Sequence, residues 1–142
     1  MMSDTAVDEV EAVLREWAEA YRARDMGALL RNAIGDDVQL VGTGADEVRF
    51  GLDEYRAQAT RDFSQADDAE FRLSNLRVTA IGGAAFAYCD VTASGSAGGQ
   101  PFEMSGLRMT VGLVRTDDGW RFVQTHLSAP DRAQAEGRSF ED

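Results

Sequence analysis

The stretch GLRMTVGLVRTDDGWRFVQTHLSAP, Gly106 to Pro130, decides the fold. Two runs rich in Val, Leu, Met and Phe flank Asp117-Asp118-Gly119, a turn signal, so the stretch reads as a hairpin of two long antiparallel strands. In the first arm Leu107, Met109, Val111 and Leu113 share one face. Arg108, Thr110 and Val114 share the other with the preceding Phe102 and Met104. In the second arm Trp120, Phe122, Gln124, His126 and Ser128 alternate with Arg121, Val123, Thr125 and Leu127. Apolar side chains on both faces mean that both need cover, whereas a free antiparallel sheet keeps one face wet. One face covers helices; the other is expected to form a homodimer through the outer side of the sheet, the alternative being scattered exposed apolar side chains.

Upstream, strand-like alternation continues over 70–81, 85–95 and 101–116, with turns at Gly82-Gly83 and Gly95 to Gly99. In the first of these, Phe71 and Leu73 are odd-numbered while Leu76, Val78 and Ala80 are even. Period-2 alternation changes parity only by gaining a residue, which predicts a bulge or sharp bend near Ser74-Asn75. The N-terminal third is helical in character. Val7, Val10, Leu14, Trp17 and Tyr21 form one stripe of a helix over about residues 5–24, with Thr5 and Asp8 as a capping-box variant. A short second helix holds Leu29, Leu30 and Ala33, and VQLVGTG with ADEVRFG reads as a small hairpin. A third helix, capped by Asp53, repeats Leu52, Tyr55, Ala59 and Phe63. Helices followed by a long curled antiparallel sheet make an α+β fold, with a cavity between the layers suited to a small apolar ligand. The expected organisation is one domain over 1–130 and a solvated tail or short terminal helix over 131–142.

Composition narrows the function. The 142 residues carry a formal charge of −11, which repels nucleic acid and anionic membrane surfaces. There is no apolar run long enough to span a bilayer and no signal-peptide pattern, so a cytoplasmic protein is expected. One Cys and one His exclude an intrachain disulfide and the usual zinc sets. No metal site and no cofactor are expected.

The candidate chemistry centres on that single histidine. His126 is a general base, a ligand contact, or a structural histidine satisfied within the sheet. Arg108 is paired with Glu103, Glu47 or Asp90, or it anchors a substrate carboxylate. Asp90 is Arg108's partner or a base with a raised pKa. These three are the catalytic candidates. Trp17, Tyr21, Tyr55, Tyr88, Met104, Trp120 and Gln124 are the candidate ligand-binding residues. Cys89 reads as a small buried hydrophobe. Glu47 closes a pocket mouth or, more simply, stands as an exposed loop carboxylate.

Three patterns, EWAEAYRARDMGAL, DDVQLVGTGADEVRFGLDEY and the hairpin quoted above, resemble the nuclear transport factor 2-like superfamily in its SnoaL-like branch. The hairpin is also similar to the closing strands of the association domain of calcium/calmodulin-dependent kinases. The resemblance covers roughly residues 6–130. It implies a cone-shaped, cystatin-like α+β barrel, usually dimeric, with a pocket between sheet and helices. The superfamily spans ketosteroid isomerases, polyketide cyclases, dehydratases, epoxide hydrolases and non-catalytic assembly domains. The catalytic tyrosine of ketosteroid isomerases falls on Trp17, which has no phenol to donate to an oxyanion. The pocket arginine of the kinase domain falls near Val111. The expected function is binding of a small apolar molecule, with isomerase, cyclase or dehydratase chemistry if catalytic; the alternative is a non-catalytic dimerisation or accessory domain.

Overall fold

A computed structural model describes residues 2–140, with side chains from Thr5 onward. Its elements run α1 (Met2–Arg22), α2 (Met26–Arg31), β1 (Gln39–Val41), β2 (Val48–Phe50), α3 (Leu52–Gln65), β3 (Asp68–Ile81), β4 (Ala84–Ala97), β5 (Gln100–Thr116) and β6 (Gly119–Ser128). The six strands form one open sheet in the order β2-β1-β6-β5-β4-β3. Every pairing is antiparallel except β1 on β6, so the sheet is mixed. It curls around the helices without closing into a barrel. None of the helices is long and apolar enough to cross a membrane.

Helix α1 lays its stripe on the sheet: Val10 and Leu14 are fully buried, and Trp17 nearly so. They pack with Leu29, Val91, Met109, Leu113 and Phe122 into one core. The helix already runs from Met2, so Thr5 lies inside it rather than at its cap, and it ends at Arg22. Arg24 then adopts a left-handed φ of 57°. Its guanidinium donates to the carbonyls of Phe63 and Ala66, tying this break to the end of α3. At the start of α3 the N-cap is Gly51, not Asp53. Asp36 Oδ1 accepts from the Leu52 N–H and Glu54 Oε1 from the Phe50 N–H, so neighbouring carboxylates satisfy donors at this helix start.

Three bulges curl the sheet. The one expected at Ser74-Asn75 is present: the β3–β4 register shifts between Ser74 and Arg77, and Asn75 has φ 54°. A second lies in β5, where Ser105 and Gly106 together oppose Thr92. It switches parity, so Phe102 and Met104 face inward with Met109 instead of outward with Arg108. The third is Val123 in β6, where the β5–β6 register shifts beside Gly112 and Leu113. Trp120 and Phe122 therefore point inward together with Thr125 and Leu127, while Gln124 and His126 point out.

β4 runs through Gly95 to Ala97, and the turn is confined to Gly98-Gly99. At Gly95 the neighbouring strand comes so close that an added Cβ would lie 2.1 Å from the Asp68 carbonyl oxygen. Gly95→Ala should therefore force the β3–β4 ladder apart at its entry. The expected loss is about 1–3 kcal/mol, the usual range for overpacking, read as a fall in urea midpoint with an unchanged slope.

Candidate functional site

A cavity of about 340 Å³ opens between the concave face of the sheet and helices α1 and α3. Its walls are mainly apolar: Trp17, Leu29, Leu40, Phe71, Met109 and Leu127, with Phe102 and Met104 from β5. Trp17 and Phe71 stack in parallel at 5.3 Å, and Tyr21 packs on Phe71 at 4.4 Å. The aromatic wall follows from α1 periodicity meeting the inward residues of β3.

One corner is polar. Along α3, Tyr55, Gln58, Ala59 and Asp62 recur at the i, i+3, i+4, i+7 spacing of one buried face. Gln58 is 3 % exposed, and its side-chain amide is fully used. Nε2 donates to Glu47 Oε2 at 2.8 Å and to Asp62 Oδ1 at 2.9 Å, and Oε1 accepts from Arg49 Nε at 3.2 Å. The Tyr21 hydroxyl donates to Asp62 Oδ2 at 2.9 Å. One buried glutamine thus bridges two carboxylates on the cavity wall.

Glu47 is held by its own loop. Its Oε1 accepts the Gly44 N–H at 2.6 Å, and Arg61 lies 3.4 Å from Oε2 while pairing with Asp46 at 2.8 Å. A Cβ at Gly44 would fall 2.6 Å from Glu47 Oε1 and one at Gly42 2.9 Å from Glu47 Cβ. The Gly-Thr-Gly sequence is therefore what lets this carboxylate fold back into the cavity. The reading of Glu47 as an exposed loop carboxylate is corrected: its side chain is 19 % exposed and lines the cavity.

Burial raises the pKa of Asp62, and the nearby Glu47 adds to the effect; Tyr21, Gln58 and Arg61 oppose it. Asp62 forms no ion pair among the described residues. Burial likewise pushes the Tyr21 phenol upward, with Asp62 adding to it, so Tyr21 stays a donor. Tyr55 is raised to about 12 by burial, the Trp17 indole acting in the other direction.

Of the expected ligand-binding residues, Trp17, Tyr21, Tyr55 and Met104 line this cavity. Trp120 is buried in the core under the Arg115 guanidinium, 4.9 Å from its ring, and is not part of the cavity wall. Tyr88 and Gln124 lie on the opposite face of the sheet. So do the catalytic candidates His126, Arg108 and Asp90, whose side chains alternate with cavity- or core-facing neighbours. The Val123 bulge is the reason for Gln124 and His126; Arg108 and Asp90 follow from the strand period. Asp90 accepts from Tyr88 and Asn75, both at 2.6 Å, and these bonds lower its pKa instead of raising it. Arg108 faces Asp90 in register yet forms no ion pair among the described residues. Glu103 lies 3.7 Å from Arg72 instead. Cys89 is buried as expected, its thiol pushed up to about 11. Among the described residues no cluster of three His, Cys, Asp or Glu side chains is placed to hold a metal ion.

Asp62, Gln58 and Thr125 are the site residues that strand and helix patterns did not single out. The signal for the first two was present: polar side chains on the buried face of an otherwise apolar helix stripe. A carboxyl whose folded pKa lies above its unfolded value contributes stability that is full below the unfolded pKa and is lost as pH rises through the folded one. Carbon-detected NMR titration should accordingly find the Asp62 carboxyl above the ordinary aspartate value of about 3.9, and Asp90 below it. The stability of wild type relative to Asp62→Asn should decline as pH rises through the Asp62 midpoint.

Residues 10–132 match the SnoaL-like domain family. No curated protein matches the chain significantly. Among solved structures, an NTF2-like protein from Streptomyces avermitilis, provisionally named a dehydratase, superposes with a TM-score of 0.82 at 23% identity, covering 90% of this chain and 98% of its own. An NTF2-like superfamily protein from Salmonella enterica serovar Typhimurium gives 0.83 at 16% identity, over 96% and 99% of the two chains. A third NTF2-like protein, from Pseudomonas putida, gives 0.78 at 24% identity over 99% of both. At these identities the structural neighbours establish the fold, and the family match assigns the sequence: the chain belongs to the SnoaL-like domain family of the NTF2-like, cystatin-like α+β fold.

Proposed function

We propose that this protein binds a small, mainly apolar molecule in the cavity and transfers a proton on it, with Asp62 as acid and base. The carrying observation is a partly buried carboxyl, unpaired with any cation among the described residues, at one corner of an apolar cavity. Such a group is tuned toward the pH range in which it can both take and return a proton. Tyr21 and Gln58 orient it through bonds to its two oxygens. The chemistry is that of an isomerase, cyclase or dehydratase. Asp62 takes a proton from a carbon beside a carbonyl, and the C–H electron pair passes into the enolate. Returning the proton to another carbon isomerises the substrate; expelling a β-hydroxyl, which leaves as water once protonated, dehydrates it.

Incubating the protein in deuterium oxide with cyclic ketones and β-hydroxy ketones tests this reading. Deuterium should enter at the carbon next to the carbonyl, and Asp62→Asn should slow that exchange by roughly 100-fold or more. The rate should rise with pH as Asp62 ionises among Tyr21, Glu47, Gln58 and Arg61, with a midpoint above the ordinary aspartate value. Exchange that persists in Asp62→Asn would remove Asp62 from the role.

The protein is further proposed to be a homodimer through the convex face of the sheet. That face carries Phe86, 61 % exposed, and Ile81, 68 % exposed. Phe86 and Tyr88 line a shallow hollow on it together with Thr110 and Gln124. Sedimentation velocity should give a dimer for wild type and a monomer for Phe86→Asp; a wild-type monomer at micromolar concentration would count against it.

A further inference from the structure

At the polar corner the donors in contact with Asp62 and Glu47 are spent on them, and Arg61 Nε, buried without a partner, belongs to a residue outside the cavity wall. The Tyr21 O–H is on Asp62, and the Gln58 amide serves both Asp62 and Glu47. The Gly44 N–H is on Glu47, and Arg61 is engaged by Asp46 and Glu47. What remains is acceptor capacity, since each carboxylate oxygen offers two lone-pair sites and those on Asp62 have one donor apiece. Among the described residues no guanidinium lines the cavity to receive an anion there.

Thr125 supplies an independent observation on the opposite wall. It is 6 % exposed, it lines the cavity, and its hydroxyl makes no hydrogen bond among the described residues. Buried polar side chains are ordinarily partnered, so an unpartnered hydroxyl on a residue of the cavity wall marks a place for a ligand atom. Trp17, Tyr21 and Phe71 also line the cavity, ring faces that favour an apolar body and tolerate a cation. The chain's charge of −11 adds a field that attracts cations and repels anions.

We propose that the cavity selects a neutral or cationic small molecule bringing its own O–H or N–H donor to Asp62 and Glu47, with Thr125 holding a second polar atom. This rests on the cavity being a ligand site, as proposed above, and names the class of ligand. A carboxylate would bring a third negative charge against two, with no cationic side chain on the cavity wall to receive it. An ether beside Asp62 and Glu47 would meet only acceptors.

Calorimetric titration with four naphthalenes substituted at one ring position separates these cases: the methanol, the methylamine, the methyl ether of the methanol, and the carboxylate. The ring body suits a cavity of about 340 Å³. Wild type should bind the alcohol and the amine at least about tenfold more tightly than the ether or the carboxylate, as expected for a hydrogen bond to a charged group. Thr125→Val, which removes the hydroxyl at nearly constant shape, should weaken the alcohol severalfold. In Asp62→Asn, the amine should lose its advantage over the ether. Equal or tighter binding of the ether or the carboxylate by wild type would overturn the selectivity while leaving the ligand site standing. Binding of none of the four would overturn both. The wild-type series decides the matter even if a variant fails to fold.

Discussion

A strand can exchange its inward for its outward side chains only by gaining a residue, and this chain does so three times. The bulges at Asn75, at Ser105-Gly106 and at Val123 sit in three different strands of one sheet. Each raises local twist and bends the strand, so the sheet wraps α1 instead of lying flat on it. The second bulge turns Phe102 and Met104 inward, and the third turns Thr125 and Leu127 inward. Without these changes of parity the core beneath Trp120 and Phe122 would form, but the far end of the sheet would present different residues to the helices.

The same curvature separates two kinds of packing. Near α1 the inward residues are close-packed and almost fully buried, among them Val10, Leu14, Val91 and Phe122. Toward α3 the layers diverge, and a cavity stands where side chains would otherwise meet. Burying Gln58, Asp62 and Glu47 there is tolerable only because they satisfy one another. Gln58 is the keystone, since its single amide nitrogen serves both carboxylates. Glycines at positions 42 and 44 complete the arrangement by leaving room for Glu47 to turn inward. The polar corner is thus assembled from α1, α3 and the β1–β2 loop, three segments brought together by packing on the sheet.

The convex face has a separate network. Asn75 and Tyr88 hold Asp90 from either side, and His126 is exposed next to Thr110 in register. Exposed Phe86 and Ile81 lie toward the β3–β4 and β5–β6 turns of the same sheet. The chemistry proposed for the cavity and the association proposed for the convex face therefore draw on different side chains, separated by the thickness of one sheet.

Much of the architecture was legible along the chain because it depends on local periodicity. The α1 stripe through Val10, Leu14 and Trp17, the four long strands, the Asn75 bulge and the α+β layering all follow from the spacing of apolar residues. The Asn75 bulge was readable because apolar residues on both sides of it changed parity. At Val123 no such break existed: Trp120, Phe122 and His126 kept one parity through a bulge that reversed it. Glycine at 106 was compatible with either a bulge or a plain strand. The site depended on those ambiguities. Composition and spacing alone determined an acidic α+β fold with an aromatic stripe and one histidine, since these are properties of neighbours in sequence. Only the tertiary structure decided that His126 faces away from the cavity and that Asp62, Gln58, Glu47 and Tyr21 meet in it. Sidedness after a bulge, and contact between residues as far apart as 21 and 62, are fixed by how the sheet curls and not by any local pattern.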